Sequence, residues 1–451
     1  MTLRSLRVVT FSFLVCALTS CGGSAPENAD DDVGSVASGG EAAPSLEALA
    51  ASAVSDDREL AERAIASLRA AGPRGHAALM STHADAIAVL RDAPPITPDA
   101  ASERLRHAID VVSGQRDGHA SGLYWHTDLA AAEAEARASG RPILSLRLLG
   151  RLDEEMSCAN SRYFRLVLYP NRAISSYLRD HYVLHWSSER PVPRVTIDMG
   201  DGRRLERTLT GNSIHYVLDA DGSVLDALPG LYAPRSMLAF LEASSQLHAA
   251  LTGDLVASEA SVASAHGLAL RRTEIAFRSA REAFPAIPDR GQPSGVIGLP
   301  SAIEAMPLTV SKLAVEGNML DAVRAPGTDP IDRGTVDWVR VGLDGYGIDG
   351  AAIFDETSRA LLRLKTGRDE PASNDVVLAL SRTIVGDTAR NEATFRLSVL
   401  EWLTTRDAGE PRPTLEAFNE RVYSELFLTP ASDPWLGLAD PTVWDAIERL
   451  H

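Results

Sequence analysis

Apolar residues recur at helical spacing along most of this chain, and strand-length apolar runs are confined to its middle. In DRELAERAIASLRAAGPRGHAALM, Leu60, Ala64, Ile65 and Leu68 form one stripe and Ala78 and Leu79 begin another. Gly72-Pro73 separates the two. The spacing predicts a helical segment over residues 45–118. Between 119 and 250 the period alternates. Asp128 is placed to cap a helix through LAAAEAEARASG, with Gly140 as its stop. PILSLRLLG (142–150) is a strand-length run. CANSRYFRLVLYP returns to helical spacing as far as Pro170, and a second helical piece passes through Tyr177 and Leu178. YVLHWSS (182–188) predicts a strand. Two hairpins follow, VTIDMGDGRRLERTL (195–209) turning at Gly200-Asp201-Gly202 and SIHYVLDADGSVLDALPG (213–230) turning at Asp221-Gly222. Helix resumes from Pro234 to Leu247. Residues 251–451 read as mainly helical, broken by Pro/Gly loops at 285–300 and 325–335, with no internal repeat. A stretch of this length suffices for a domain of its own.

The amino-terminal pattern is different. Arg4 and Arg7 precede an apolar run from Val8 to Leu18, too short for a transmembrane helix and of the kind that directs export. It ends in Leu18-Thr19-Ser20-Cys21, which resembles the lipobox of bacterial lipoproteins. That resemblance implies a signal peptide over 1–20, cleavage before Cys21, lipid on its sulfur, and a membrane as partner through acyl burial. Gly22, rather than Asp, implies sorting to an outer membrane, facing the periplasm. Residues 21–44 are small, acidic and glycine-rich and predict a flexible linker. The net charge is −17, and removal of the two leader arginines makes it −19. This excludes nucleic acid as a natural partner, since such binding needs clustered cations. Lysine occurs only at Lys312 and Lys365, which carries no functional inference.

Of the three cysteines, the lipobox resemblance implies that Cys16 is removed with the leader and that Cys21 is blocked by lipid. Cys158, in EEMSCANSR, is left without an intramolecular partner, so there is no disulfide framework. A thiol at a helix N-terminus is favoured as thiolate by the dipole, and Arg162 and Arg165 follow within two turns. Asp153, Glu154 and Glu155 act in the opposite sense.

Residues 119–250 resemble the thioredoxin fold. Trp125 ahead of an Ala/Glu-rich helix and Gly140-Arg141-Pro142 before a strand carry part of the resemblance. The most specific part is SIHYVLDADGSVLDALPGLYAPRSMLAFL: strand, Asp-x-Asp-Gly turn, strand, Pro-Gly and final helix. The resemblance implies an α/β domain with a central mixed sheet and helices on both faces. It would be flanked by the N-terminal helices and a mainly α-helical C-terminal domain. It also implies a reactive cysteine after the first strand, at the start of the next helix, where Cys158 stands. The family's Cys-x-x-Cys is here Cys158-Ala159-Asn160-Ser161, similar to monothiol members of the superfamily. Such a site can attack a disulfide but cannot resolve the mixed disulfide itself. Ser161 would then donate a hydrogen bond to the thiolate, and a protein thiol or disulfide would be the partner, with no cofactor. Asn212-Ser213 occupies the place of the family's cis-proline and becomes the substrate-groove candidate, with Pro193 in RPVPRV as another alignment. The alternative is a non-catalytic interaction scaffold that binds an envelope protein.

Other patterns are weaker. Asp219-Ala220-Asp221-Gly222-Ser223 begins like a calcium loop, but its twelfth position is Gly230 and a turn is the better reading. His185 and His215 fall on the strands that would flank the cysteine's strand, and with Cys158 would be a copper or zinc set, although strand histidines are usually hydrogen-bonded. No metal site is therefore assigned. Asp344 to Gly350 reads as a loop rather than a phosphate cradle. The N-terminal helices resemble one HEAT-like hairpin or serve as a plain cap. Trp435, Leu436, Leu438 and Trp444 form either a partner-binding knob or pins for a loop.

Overall fold

The computed structural model describes residues 44–92, 94, 97–208, 211–251, 255–287, 336–367, 370–405 and 410–434. The leader, Cys21 and the spacer to Ala43 lie outside these residues, as do Trp435, Leu436, Leu438, Trp444 and most of the 285–300 and 325–335 loops.

Helices α1 (Leu46–Ser52), α2 (Arg58–Ala70), α3 (Pro73–Thr82), α4 (Ala84–Asp92) and α5 (Ala100–Ser113) form the N-terminal part, followed by the short α6 (Gly118–Ser121). Asp57 caps α2 by accepting from Leu60 N at 3.1 Å, and Asp99 caps α5 by accepting from Ser102 N at 2.8 Å. Gly72, at φ +66°, makes the turn that lets Pro73 open α3. Leu68, Leu79, Ala108, Ile109 and Val112 fill the core between these helices.

The centre follows the predicted alternation. α7 (Leu129–Ser139) is capped by Asp128 and ended by Gly140. β1 (Ile143–Leu149) leads through a loop to α8 (Ala159–Tyr163), which runs on through a π-helical turn (Phe164–Leu168). α9 (Arg172–His181), β2 (Val183–Arg190), β3 (Arg194–Asp198), β4 (Arg204–Thr208), β5 (Ser213–Leu218), β6 (Val224–Pro229) and α10 (Pro234–Ala249) complete it. The sheet order is β2-β1-β5-β6, with β1 parallel to β2 and antiparallel to β5, and β5 antiparallel to β6. β3 and β4 form a separate two-stranded ribbon.

The sheet is mixed and covered on both faces, so β5 and β6 are buried at every position. Leu144, Leu146 and Leu148 face one core with Trp125, Phe164, Tyr169, Leu178 and Leu241. Ile143, Leu149, Ile214, Tyr216 and Val224 face the other with Ala132 and Ala136 of α7.

Among the described residues the later α-helices are α11 (Leu255–Ala283), α12 (Trp338–Arg340) with a π-helical turn to Gly345, α13 (Glu356–Thr366), α14 (Glu370–Asn391), α15 (Leu397–Thr404) and α16 (Leu415–Arg421). Part of the expected Asp344–Gly350 loop thus belongs to that helical turn. These helices supply both sheet cores: Leu362, Ile384 and Val385 on one face, Phe395, Val399, Leu403, Phe418 and Val422 on the other. Among the described residues, those from Pro44 onward belong to one compact unit.

Two buried carboxylates, Asp226 and Asp117, tie parts of it together through ion pairs. Arg396 holds both carboxylate oxygens of Asp226 on β6, one of them at 2.9 Å. Asp117, before α6 at φ +61°, receives Arg165 at 2.8 Å and Lys365 at 2.9 Å. Burial alone would raise Asp117, but Arg165 and Lys365 outweigh it and hold the carboxyl below its ordinary value. Both outer strands are also covered. Val224 N donates to Pro413 O at 2.9 Å beside β6, and His126 bridges to His185 beside β2.

Candidate functional site

Cys158 stands where the sequence places it, at the junction of a loop from the end of β1 and the start of α8. It is the N-cap residue, and its Sγ accepts from Ser161 N at 3.4 Å. The Ser161 hydroxyl does not serve the sulfur as expected. It donates instead to Arg151 O at 3.5 Å, because the 150–157 loop folds back across the first turn of the helix.

The acidic loop is neutralised locally. Asp153 pairs with Arg151 at 2.6 Å, Glu154 with Arg194 at 3.5 Å, and Glu155 with Lys365 at 2.8 Å and Arg116 at 3.0 Å. Arg165, expected to support a thiolate, turns away into Asp117. Arg162 donates to Ser157 O at 3.3 Å and Thr208 Oγ1 at 3.2 Å, joining α8 to the root of the ribbon.

Asn212 and Ser213 do approach the cysteine. A Cβ on Gly211 would lie 3.4 Å from Cys158 Cβ and 3.3 Å from Asn160 Oδ1, so the backbone passes directly beside the helix start. Asn160 Nδ2 donates to Ser213 Oγ at 2.8 Å. Sequence reasoning missed Asn160, although its place two residues after the cysteine was a signal for such a clamp. Pro193 lies between β2 and the ribbon; no described peptide bond is cis.

No groove is open at this place. Cys158 is 0% exposed, Ser213 0% and Asn212 2%. Among the described residues, part of the cover comes from the C-terminal part of the chain. Cys158 shares its core with Leu149, Val192, Ile214, Tyr423 and Phe427. Tyr423 is close enough that Cys158, after burial and the nearby Glu189 and Tyr216, adds to the upward push on its phenol. Asn212 Nδ2 donates to Thr429 Oγ1 at 2.9 Å, and Arg190 Nη2 donates to Thr429 O at 3.1 Å. Between Phe427 and Thr429, Leu428 has φ +52°, a left-handed conformation unfavourable for a leucine. That backbone bend lays Phe427 and Thr429 against the site. Nothing near Cys158 in sequence announces a cover more than 260 residues away.

The two histidines do not converge. His185 Nδ1 lies 2.8 Å from Ser145 Oγ, whereas His215 Nε2 lies 2.8 Å from Tyr169 Oη and its ring packs on Phe164. Their β1 neighbours, Ser145 and Leu146, are consecutive, so the rings take opposite sides of the sheet. Burial pushes each down to about 3. No group of three or more metal-binding side chains occurs among the described residues.

No protein-family model, no curated protein and no solved structure matches this chain.

Proposed function

We propose that this protein is a lipid-anchored envelope scaffold. In this reading its α/β part is a thioredoxin-like module that has lost thiol chemistry and works by binding a protein partner. The carrying observation is the full burial of Cys158 in a core shared with Tyr423 and Phe427, at the position where such a module would expose it. Three features support the module. β2 and β5 flank β1 as the resemblance requires, a helix starts at Cys158, and the last hairpin is followed by α10. A partner surface is supported by the ribbon, where Ile197 and Leu205 are direct cross-strand neighbours, 38% and 37% exposed, with Met199 beyond them at 56%. The lipid anchor rests on the Cys21 motif.

The rival reading is exchange chemistry. The Cys158 thiolate would attack a disulfide sulfur, form a mixed disulfide and release the other sulfur as thiolate. Incubation of the native chain with glutathione disulfide, followed by peptide mass analysis, separates the two. No glutathione adduct is expected on Cys158 in native buffer, and adduct formation only after denaturation. An adduct formed by the folded protein would replace the scaffold reading with the exchange reading.

A further inference from the structure

A pocket of about 570 Å³ opens between α3, α4, α6 and α9, on the helical side of the molecule away from the Cys158 core. Its chemistry is unusual for a chain of net charge −17. Arg91, Arg172 and Arg179 line it, and no carboxylate does. Arg172, Ser175, Ser176 and Arg179 are spaced i, i+3, i+4, i+7 and form one face of α9. Asp92 lies between Arg91 and Arg172, at 3.0 and 2.8 Å. Arg179 donates to Ser121 O at 2.8 Å. Two further acids stand at the rim: Asp180 accepts from the Ser176 hydroxyl at 3.4 Å, and Asp355 accepts from Arg172 N at 3.0 Å. Three guanidinium groups thus line the mouth, with Asp92 bridging two of them and Asp180 and Asp355 at its rim.

The inner wall gives a second, independent observation. His119 is 1% exposed and neither ring nitrogen has a hydrogen-bond partner; His76 is 7% exposed and its Nε2 has none. Buried polar atoms left so are uncommon and costly. Both line the pocket, beside the apolar Ala77, Met80, Ala120 and Pro170. Burial, reinforced for His76 by Arg69 and Arg179, pushes each imidazole down to about 4. At neutral pH each is therefore an uncharged ring with one N–H to donate.

We infer that this pocket binds a small organic phosphate monoester, its phosphate held by Arg179, Arg91 and the α9 serines and its organic part against Met80, Ala120 and the two imidazoles. Arginine suits phosphate because its planar fork donates two parallel hydrogen bonds. The volume lies in the range of small-molecule sites and exceeds what a bare phosphate fills. This site stands independently of the scaffold reading.

Calorimetric titration of the full chain with phenyl phosphate, inorganic phosphate and succinate tests it. Phenyl phosphate is expected to saturate one site, about tenfold tighter than inorganic phosphate through its buried ring. Arg179→Gln and Ser176→Glu are each expected to weaken it by about tenfold or more. Ser176 is exposed, so the second variant keeps the test intact should the first fail to fold. The inference is overturned by absence of saturable phenyl phosphate binding, by succinate binding as tightly, or by affinity that survives a folded variant.

Discussion

Asp387 is a carboxyl group without a compensating contact. It is 1% exposed, neither oxygen has a hydrogen-bond partner, and burial pushes it up to about 8, with Arg390 only partly opposing. Between about pH 4 and pH 8 the folded chain holds a proton here that the unfolded chain has released. The folded state binds more protons, so this group makes stability fall as pH rises through that window. Asp387→Asn removes the ionisation and keeps the shape. In urea unfolding it is expected to match the parent near pH 4 and to exceed it progressively as pH rises, by up to about 5 kcal/mol at pH 8. An unchanged difference across the window would mean that Asp387 ionises in place. At this scale the sequence was informative about where Cys158 falls along the chain and uninformative about its surroundings. Asp153, Glu154 and Arg165 could be read as neighbours of a thiol, but not that Arg151, Arg194 and Asp117 would draw them off. Local position follows from chain order, whereas the local field depends on side chains brought in from elsewhere.

Among the elements, those with local chemistry at both ends were the most legible. α7 has Asp128 and Gly140, and the second hairpin has its Asp-x-Asp-Gly turn, where Asp219 Oδ1 accepts from Asp221 N and Ser223 N at 2.9 and 3.0 Å. The π-helical turns after α8, α12, α14 and α16 carry no comparable signal, because one extra residue in a turn leaves the apolar spacing almost unchanged. The polar face of α9 was legible as a stripe, yet a solvated face and a pocket wall share that pattern. The meeting of α2 and α3 was legible only as a break at Gly72-Pro73. The close contact lies at Gly75, where a Cβ would sit 2.0 Å from Leu68 O. A backbone carbonyl cannot rotate aside as a side chain can, so the helices themselves must separate. Gly75→Ala is expected to cost about 3 kcal/mol in denaturant unfolding, despite its better helix propensity. A neutral or stabilising effect would contradict the packing of this pair.

Across the whole molecule, the difference from the sequence expectation lies in the last 200 residues. Their helical pattern and loop punctuation are those of a separate domain, and nothing in them says that Phe395, Phe418 and Phe427 pack on a sheet formed far earlier in the chain. Periodicity reports which face of a helix is apolar, not what covers it. The mixed sheet with helices on both faces was legible because its strands and hairpins are contiguous; its shared core was not. This arrangement decides how the site is read, since the C-terminal segment lies over the cysteine and over Asn212-Ser213 alike. Among the described residues no helix is long and apolar enough to cross a membrane, and the ribbon remains the most apolar projection of the sheet region. The most direct measurement is the rate at which a maleimide labels Cys158 in the intact chain across a urea series, read by peptide mass analysis so that the other cysteines do not interfere. In native buffer labelling is expected to be slower than in the unfolded chain by orders of magnitude, and to accelerate only through the unfolding transition. Labelling in native buffer at nearly the unfolded rate would mean that Tyr423 and Phe427 do not cover the sulfur, and the scaffold reading would fall.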